Sequence, residues 1–313
     1  MTNNKLLIII DANSVIHRAF HALPPLTNKK GEPTGAVYGF LLALFKAIKD
    51  FQPDFIAICF DVHAPTFRHK QFKEYKAKRP PAPQELYSQI PKVKNVLTAF
   101  KISVFEKEGF EADDLIGTIA KLASDKKSAS ELEIVVLSGD RDSLQLINDQ
   151  IKVLVLNRGI KNTIFYDEKE VKKQYGISPS QMIDFKALRG DPSDNIPGVR
   201  GIGEKTAVKL LDQFNNLDDL YKSLKDSNIT SKLQELLLKQ KEQAYLSRVL
   251  GSIRQDVPID FNLSQCQWQG YNQESVKILQ EFGFKTLIKR LPELNRGYQK
   301  EKAYHTKKNL SLW

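Results

Sequence analysis

Three short, continuously apolar runs along the chain share one format, because each is rich in β-branched residues and each leads into aspartate. The runs are KLLIIID ending at Asp11, FIAICFD ending at Asp61, and EIVVLSGDRD ending at Asp140 and Asp142. Amphipathic helical patterns separate them, at 34–51, 83–100 and 112–124. Apolar strands that alternate with helices predict a parallel sheet covered on both faces. The four aspartates should therefore meet at one edge, because sites form where the carboxyl ends of such strands lie.

Two further stretches carry acids that could join this edge. EGFEADDLIG brings Glu111, Asp113 and Asp114, and LRGDPSDNIPG brings Asp191 and Asp194 at a spacing that suits a turn. The simplest alternative for the first stretch is an ordinary helix start, because acids in a first turn favour the helix dipole and an apolar helical pattern begins at Ala112. If that helix begins at the same edge as the strand ends, all of these acids gather in one place.

Such crowding of carboxylates calls for a counter-charge. Carboxylates packed closely repel one another, and their pKa values would rise until some became neutral. Divalent cations remove that repulsion, and a ligand set made only of oxygen suits Mg²⁺ or Mn²⁺ and argues against zinc. The five histidines show no metal-ligand spacing. We therefore expect a site for two or more Mg²⁺ or Mn²⁺ ions.

Composition narrows the class of protein. With 313 residues, 41% of them hydrophobic, the chain is long enough for one large domain or two ordinary ones. No segment approaches the roughly 20 apolar residues of a membrane span, and the run Leu6–Ile10 is too short and wrongly flanked for a signal peptide. The two cysteines lie far apart, which favours a reducing cytoplasm. The formal net charge of +10 fits a polyanionic partner.

A basic segment with interleaved aromatic residues follows Asp61. From Arg68 to Arg79 it holds six Lys or Arg residues against one acid, with Phe67, Phe72 and Tyr75 among them. Cations of this kind meet phosphates while aromatic faces stack on unpaired bases. The alternative is a solvated basic helix with a few buried aromatic residues. The position directly after an acid of the predicted metal site favours the functional interpretation.

A glycine-rich stretch, NIPGVRGIGEKTAVKLL, nearly spells a Walker A loop. Glu204 separates Gly203 from Lys205 and no strand precedes the stretch, so a P-loop is excluded. Gly201 and Gly203 instead predict a tight hairpin before a helix over 205–214. Such a turn exposes backbone N–H groups to a phosphate, and the helix N-terminus adds partial positive charge. A plain connection between two helices is the alternative.

Taken together, these motifs resemble the 5′ nuclease (flap endonuclease) family, and within it the N-terminal 5′→3′ exonuclease domains of bacterial DNA polymerases I. The resemblance runs from about Lys5 to Leu291 and rests on DANSVIHRAFHAL, CFD, FRHKQFKEYKAKRP, EGFEADDLIG, SGDRD, LRGDPSDNIPGVRGIGEKTA and FGFKTL, in this order. It implies an α/β, PIN-like nuclease core with a parallel sheet over 1–176 and a helical arch at about 64–90. A mostly helical DNA-binding domain with a helix-hairpin-helix (helix-three-turn-helix) motif at 198–207 would follow over 177–291, and a flexible tail over 292–313.

The same resemblance implies roles for individual residues. The metal-binding acids would be Asp11, Asp61, Glu111, Asp113, Asp114, Asp140, Asp142, Asp191 and Asp194. As a hypothesis, the acids up to Asp113 or Asp114 serve a first ion and those from Asp140 onward a second. The catalytic side chains would be Arg18, Tyr75, Lys76 and Arg79, with Tyr75 stacked on a displaced base. The DNA-contacting residues would be Arg68, Lys70, Lys73, Lys78, Gly198, Gly201, Gly203, Lys205 and Thr206, with a K⁺ ion at the hairpin.

The implied activity is a structure-specific 5′→3′ exonuclease or flap endonuclease that leaves 5′ phosphates during primer removal and flap processing. Its substrates would be DNA with 5′ flaps, nicks or 5′ ends, including RNA–DNA primers. It would act as a monomer in the bacterial cytoplasm, near the nucleoid and with no membrane contact. Two alternatives stay open: a PIN-like ribonuclease, which would not need the hairpin or the basic arch, and a non-catalytic binder of branched DNA, which would tolerate lost acids.

The last residues carry a separate signal. The stretch 309–313, NLSLW, places Leu310, Leu312 and Trp313 at the end of a polar segment. It looks like the QLSLF pentapeptide by which bacterial replication proteins bind the sliding clamp, with Asn for Gln and Trp for Phe. The alternatives are a chance chain end and a tail that packs on its own domain. The resemblance implies that these three apolar residues tether the chain to the clamp.

Overall fold

A computed structural model of the chain describes residues 5–125, 132–157, 159, 162–226 and 228–295. Its centre is a six-stranded sheet in the order β3-β2-β1-β4-β5-β6. The strands are β1 Lys5–Asp11, β2 Phe55–Phe60, β3 Ser103–Glu106, β4 Leu132–Ser138, β5 Ile151–Leu156 and β6 Thr163–Tyr166. Only the β5–β6 pairing is antiparallel. The three apolar runs identified in the sequence are β2, β1 and β4, which lie side by side, and the predicted parallel sheet is confirmed.

The helices fall into an N-terminal and a C-terminal set. The first is α1 Ala12–Ala22, α2 Gly35–Phe51, α3 Phe67–Gln71, α4 Gln84–Tyr87, α5 Ile90–Ala99, α6 Ala112–Ser124 and α7 Glu168–Tyr175. The second is α8 Met182–Arg189, α9 Glu204–Phe214, α10 Leu217–Ser223, α11 Ser231–Lys239, α12 Lys241–Gly251, α13 Gln273–Glu281 and α14 Lys285–Arg290. The α/β core followed by a mostly helical part is the expected fold. Within the described ranges, no helix combines the length and apolar character that crossing a membrane requires.

Both faces of the sheet are buried, which explains why its strands are continuously apolar. Alternate side chains of a strand point to opposite faces. Leu7 and Ile9 of β1 join the core formed with α6, which continues into α8, α9 and α10. Ile8 and Ile10 join the core formed with α1, α2 and α5 on the other face. The strands therefore have no polar face, and their acids are confined to the ends.

The helix predicted at 83–100 and the amphipathic stretch from Ser231 to Gly251 each form two helices. The pattern at 83–100 becomes α4 and α5, because Pro91 in the first turn of α5 has no N–H to continue a hydrogen-bond ladder from α4. The long amphipathic pattern from Ser231 is interrupted at Gln240, whose backbone leaves the helical region (φ −113°, ψ 18°). The Gln240 side chain accepts from Arg200 N at 2.8 Å and donates to Arg200 O at 3.1 Å. This contact holds the break between α11 and α12 against the glycine-rich hairpin.

The segment that follows α14 is ordered beyond the point where a flexible tail was expected to begin. Leu291–Leu294 forms a turn of 3₁₀ helix in which both leucines are buried. Glu293 pairs with Lys49 of α2 at 2.8 Å. Together with α13 and α14, this turn packs on the core formed by α2 and α5. The start of the expected tail at 292 was therefore wrong by several residues, and 296–313 lie outside the described residues.

Candidate metal centre beneath a basic arch

The strand-end acids meet at the carboxyl edge of the sheet, around its central strand. Asp11 is the last residue of β1, Asp61 directly follows β2, and Asp140 follows β4. Glu111 and Asp113 reach the same place because α6 begins there: Asp61 accepts a hydrogen bond from the backbone N–H of Ala112 at 2.7 Å. These five acids line one cleft of about 870 Å³. The edge lies where the order of connection reverses around β1, the position at which open α/β sheets bind ligands.

Four acids of this cleft, Asp11, Asp61, Asp113 and Asp140, form what we call the open group. None of them makes an ion pair within the described part of the chain. Burial, with the charge of Asp61 adding to it, raises the pKa of Asp11 to about 6. Burial and the neighbouring aspartates hold the pKa of Asp113 well above its usual range. The open group thus concentrates negative charge that the protein itself does not neutralise.

Three other acids, Asp142, Asp191 and Asp194, form what we call the paired group. One carboxylate oxygen from each lies within 4.8 Å of the other two. Lys186 of α8 donates to Asp142 at 2.5 Å and to Asp191 at 2.7 Å, and Arg79 pairs with Asp194. Burial raises the pKa of Asp142 to about 7 despite Lys186. Asp191 is also partly buried, but Lys186 and Ser193 lower its pKa to about 2.

The arch segment is helical only in α3 and α4, and between them it folds in turns over the acids. Lys76 pairs with Glu111 at 2.9 Å. The Tyr75 hydroxyl lies 3.1 Å from a Glu111 oxygen and 3.3 Å from an Asp194 oxygen. The Tyr75 side chain is buried, with 3% exposure, so it has no free face for a displaced base. The stacking role expected for Tyr75 does not fit this position, in which the residue holds two acids.

Arg68 and Asp114 also differ from expectation. Both are buried, and the guanidinium of Arg68 donates to both oxygens of Asp114, at 2.7 and 2.8 Å. Arg68 also donates to the backbone carbonyls of Leu250 and Ser252 at the end of α12. Asp114 further accepts from the backbone N–H of Glu111. The expected phosphate contact of Arg68 and metal contact of Asp114 are corrected: the two residues form a buried ion pair that joins the arch, α6 and α12.

The Arg18 side chain donates hydrogen bonds to backbone carbonyls and makes no ion pair with an acid in the described residues. Its guanidinium donates to the carbonyl oxygens of Asn157 and Gly139, both at 2.6 Å, and so ties the end of β5 to the end of β4. The catalytic role expected for Arg18 stays a prediction. The other basic residues expected at DNA, Lys70, Lys73 and Lys78, are all exposed.

The glycine-rich hairpin connects α8 to α9. Gly198 has φ +63°, and a Cβ there would lie 2.2 Å from the nitrogen of Gly190, so only glycine fits. Gly198 O accepts from Gln243 at 2.6 Å, and Gly198 N donates to Ser247 at 3.0 Å. Gly203 has open space around its Cβ position. Gly201, Gly203 and Lys205 are exposed, while Thr206 at the start of α9 is half-buried.

Sequence reasoning missed three residues that shape the site. Lys186 stands five positions before Asp191 on α8, and a basic residue one helical turn or so ahead of the GDPSDN motif was the available signal. Asn13 accepts a hydrogen bond from the backbone N–H of Asp61 at 3.2 Å. Ser138 donates to Asp11 at 2.8 Å from the end of β4. The last two are ordinary small polar residues at strand ends, and nothing in the sequence distinguished them.

Comparison with known families matches the chain in two parts. Residues 6–176 match the 5′-3′ exonuclease N-terminal resolvase-like domain, and residues 177–274 match the 5′-3′ exonuclease C-terminal SAM fold. DNA polymerase I of Bacillus subtilis (strain 168) is 46% identical over 94% of the chain, and that of Bacillus caldotenax is 42% identical over 92%. The aligned part is 33% and 32% of those proteins, so the chain spans about a third of their length.

Solved structures show the same fold at low identity. A T5 5′-exonuclease with bound divalent metal ions (zinc) superposes with a TM-score of 0.65 and 20% identity, covering 93% of this chain and 98% of that one. The catalytic core of Rad2 in complex with a DNA substrate superposes with a TM-score of 0.57 and 16% identity, covering 94% of this chain and 92% of that one.

Proposed function

We propose, since the chain belongs to the 5′-3′ exonuclease family, that it is a divalent-metal-dependent 5′→3′ exonuclease and flap endonuclease. It hydrolyses phosphodiesters of DNA at 5′ flaps, nicks and 5′ ends, including RNA–DNA primers, and leaves 5′ phosphates in replication and repair. The observation that carries this proposal is the cleft in which the open group of acids faces Lys76 and Arg79. A cleft with acids on its floor and cations above it suits a phosphate bound between metal ions and protein.

The donor set of the cleft fits divalent cations. Every candidate ligand is a carboxylate oxygen, as Mg²⁺ and Mn²⁺ prefer. Burial and neighbouring acids raise the pKa of Asp11 and Asp113, and neither carboxylate pairs with a protein cation in the described residues, which leaves both available to a bound cation. The open group would hold a first ion with Glu111, and the paired group a second. Asp140, first assigned to the second ion, is placed with the first here because it lines the cleft with Asp11, Asp61 and Asp113. Such ions lower the pKa of water and neutralise charge on a leaving oxygen.

Lys76 and Arg79 are the residues of the chain itself that would act on the scissile phosphate. Both lie over the cleft, where they neutralise Glu111 and Asp194. Once those acids are neutralised by bound cations, the ammonium and the guanidinium can turn to a phosphate in the same cleft. Donors held in place there stabilise the charge that develops in the transition state. Tyr75 has the different task of positioning Glu111 and Asp194.

DNA would be held by the hairpin and by the exposed lysines of the arch. The backbone around Gly201 and Gly203, with Lys205, presents N–H groups and charge at the N-terminus of α9, where phosphate binds readily. Lys70, Lys73 and Lys78 of the arch segment are exposed and would add charge. These contacts reach phosphates and carry no base information, so substrate choice would depend on DNA shape. A K⁺ ion at the hairpin carbonyls belongs to the same proposal.

One set of assays tests the activity. Labelled flap, nicked and single-stranded DNA, and matching RNA, are incubated with Mg²⁺ or with EDTA. We expect cleavage of flap and nicked DNA with Mg²⁺ only. Asp140→Ala should lower the single-turnover rate at least about 100-fold, because loss of a direct ligand should cost more than the roughly 10–100-fold of a second-shell partner, and should leave flap binding in EDTA intact. The exposed Asp149 supplies the matched control, and Asp149→Ala should cleave normally.

Other results of these assays would favour one of the two alternative functions or remove the metal role of Asp140. Cleavage of RNA in preference to DNA would favour the PIN-like ribonuclease. Flap binding by the wild-type chain without cleavage under any divalent metal would favour the non-catalytic binder. Equal loss of binding and cleavage in Asp140→Ala would count against a metal role for that acid.

The sliding clamp is a further proposed partner. The residues concerned, Leu310, Leu312 and Trp313, lie outside the described residues, so the proposal rests on the NLSLW sequence. A tether would raise the local concentration of the nuclease at nicks and flaps. The test is titration of the bacterial clamp with a peptide of residues 303–313, beside one carrying Leu312→Ala and Trp313→Ala. Equal binding by both peptides, or by neither, would remove this partner. We place the nuclease itself, as a monomer, in the bacterial cytoplasm near the nucleoid.

A further inference from the structure

In the paired group of acids, the ammonium of Lys186 already lies between two carboxylates. The Lys186 ammonium lies 2.5 Å from an oxygen of Asp142 and 2.7 Å from an oxygen of Asp191. Its side chain is only 13% exposed, and the two acids are 18% and 16% exposed. Lys186 belongs to α8, whose buried residues, Leu188 among them, anchor it in the core beneath the hairpin. The contact is therefore built into a rigid part of the fold.

The paired group and the open group differ in whether their acids make ion pairs with protein cations. All three acids of the paired group make ion pairs with protein cations: Asp142 and Asp191 share Lys186, and Asp194 pairs with Arg79. The four acids of the open group have no such partner within the described residues. Arg79 is 47% exposed and belongs to the arch, so it can leave with the arch. The backbone of Lys186 is held in α8, so only its side chain can move away from the acids.

The position of the ammonium conflicts with that of a metal ion. Mg²⁺ binds carboxylate oxygens at about 2.0–2.1 Å and Mn²⁺ takes the same kind of ligand. An ion that bridges the oxygens of Asp142 and Asp191 would occupy the space in which Nζ of Lys186 now lies. The lysine must therefore swing away, or give up at least one acid, before the paired group can hold a divalent ion.

We propose that Lys186 is a tethered counter-cation that competes with the second divalent ion at Asp142, Asp191 and Asp194. The lysine lowers the negative charge of the paired group in the metal-free protein and makes this group bind its ion more weakly than the open group binds its own. The first site fills at low metal concentration, and the second fills only when the metal displaces Lys186. Lys186 is a positioning residue here, because it acts on the metal and not on the substrate. This inference rests on the proposed metal dependence.

The test measures metal binding without DNA. Mn²⁺ is titrated calorimetrically into the full chain after removal of metals, for the wild type and for Lys186→Met, Lys186→Arg and Arg189→Met. Arg189 is the matched control, because it lies on the same helix, is 45% exposed and faces Glu204 at 3.8 Å rather than the acids. Arg189→Met removes the same charge from α8 without touching the cluster. Thermal unfolding with and without Mn²⁺ gives a second readout.

The wild type should show one tighter and one weaker class of Mn²⁺ site. In Lys186→Met the weaker class should tighten at least about tenfold, because a positive charge leaves the immediate surroundings of a divalent ion. Lys186→Arg should keep the weaker class weak, and Arg189→Met should leave both classes within about twofold of the wild type.

Several results would overturn the proposal. An unchanged or weaker second class in Lys186→Met would do so, as would an equal change in Arg189→Met. If Lys186→Met is unfolded without metal, Mn²⁺ should restore its circular dichroism spectrum, and failure at every Mn²⁺ concentration would also sink the idea. A wild type that binds no Mn²⁺ at all would instead contradict the proposed metal dependence itself, so the two failures are distinguishable.

Discussion

Burial separates residues of the same chemical type into different roles at this site. Arg68 and Arg79 belong to one basic segment, yet Arg68 is 3% exposed and Arg79 is 47% exposed. Asp113 and Asp114 are neighbours on α6, and only Asp114 is fully buried against a guanidinium. A charge with a buried partner stabilises the fold, whereas a charge that faces the cleft can exchange its partner for a ligand.

The buried pair gives a prediction about stability. Arg68→Met should lower the free energy of unfolding by about 3–5 kcal/mol, because it leaves the carboxylate of Asp114 buried and unpaired. The double variant Arg68→Met/Asp114→Leu should lose clearly less, since no lone charge is left behind. Urea unfolding of the two single variants and the double variant measures the coupling. The exposed pair Arg254–Asp256 is the control, and Asp256→Ala should cost less than about 1 kcal/mol. A loss below that size for Arg68→Met would contradict the assigned role.

At the scale of elements, the arch is held down by a loop that carries two acids. The backbone N–H of Lys76 donates to Asp194 O at 2.9 Å, and the side chain of Asn195 donates to Glu74 O at 2.7 Å. Lys76 and Asn195 both have positive φ, +55° and +56°. Asparagine tolerates this left-handed conformation better than most residues. The arch turn and the loop over 191–196 thus fix each other and place Lys76 over Glu111.

Variants of Asn195 should loosen the arch. Asn195→Gly keeps the positive φ and removes only the bond to Glu74, so trypsin should cut after Lys73 and Lys76 several times faster than in the wild type. Asn195→Ala should add a loss of about 1 kcal/mol in unfolding free energy, because alanine disfavours positive φ. Asn215 also has positive φ but lies at the end of α9, and Asn215→Gly should leave arch proteolysis unchanged. Equal proteolysis in Asn195→Gly and the wild type would disprove the contact.

Two glycines of the hairpin have different roles: Gly198 is required for folding, and Gly203 would face DNA. Gly203→Val should lower the free energy of unfolding by less than about 1 kcal/mol, because its Cβ meets open space and only the N-cap of α9 becomes less favourable. It should weaken duplex DNA binding by placing a side chain where phosphate approaches. Gly198→Ala should destabilise the protein by more than about 1 kcal/mol, because its Cβ would overlap Gly190 and its φ is positive. Thermal unfolding and fluorescence-anisotropy titration measure the two effects. Full DNA affinity in Gly203→Val would remove the hairpin from the interface.

Lys205 allows a test of charge at the same hairpin. If its ammonium neutralises one phosphate, Lys205→Ala should reduce the slope of log affinity against log salt by about 1. Binding to all duplex sequences should weaken alike. Lys209 of the same helix is exposed and makes no ion pair within the described residues, and Lys209→Ala is the control substitution. An unchanged salt slope in Lys205→Ala would contradict a phosphate contact.

Across the whole molecule, charge is distributed unevenly. A chain with a net charge of +10 gathers its open group of acids in one cleft. The repulsion in that cleft destabilises the metal-free fold, and the DNA-facing cations around it would attract the substrate from a distance. The acids that lower the stability of the metal-free protein are thus the ones that would favour metal binding, as is common at binding sites.

The repulsion among these acids predicts how metal binding and mutation affect the stability of the protein. Mg²⁺ at about 100 times its dissociation constant should stabilise the wild type by about 2.7 kcal/mol, which raises the unfolding midpoint by several degrees. Asp113→Asn should stabilise the metal-free protein by about 1 kcal/mol, because it removes one of the repelling charges, and should lose much of the gain from Mg²⁺. Calorimetric unfolding in EDTA and in Mg²⁺ measures both. Asp149→Asn is the control, and a destabilised metal-free Asp113→Asn would contradict the repulsion.

Patterns along the chain were sufficient for the sheet and for most of the acid cluster. A strand that is buried on both faces must be continuously apolar, and its polar residues are then confined to its ends. The meeting of Asp11, Asp61 and Asp140 at one edge follows from that constraint and from the parallel direction of β1, β2 and β4. The hairpin was predicted from Gly201 and Gly203, and Gly201 has φ +99°, a backbone conformation that favours glycine.

Tertiary structure alone decided which charged residues pair with one another. Arg68 and Asp114 are 46 positions apart in the chain, and Lys186 reaches Asp142 from 44 positions away. Periodicity reports the face of an element on which a residue lies, but it does not report which distant side chain shares that face. Whether a buried cation holds DNA, metal ligands or another acid depends on that distant partner, because the free energy of a buried charge is set by what neutralises it. The roles first expected for Arg68, Tyr75 and Asp114 changed for this reason.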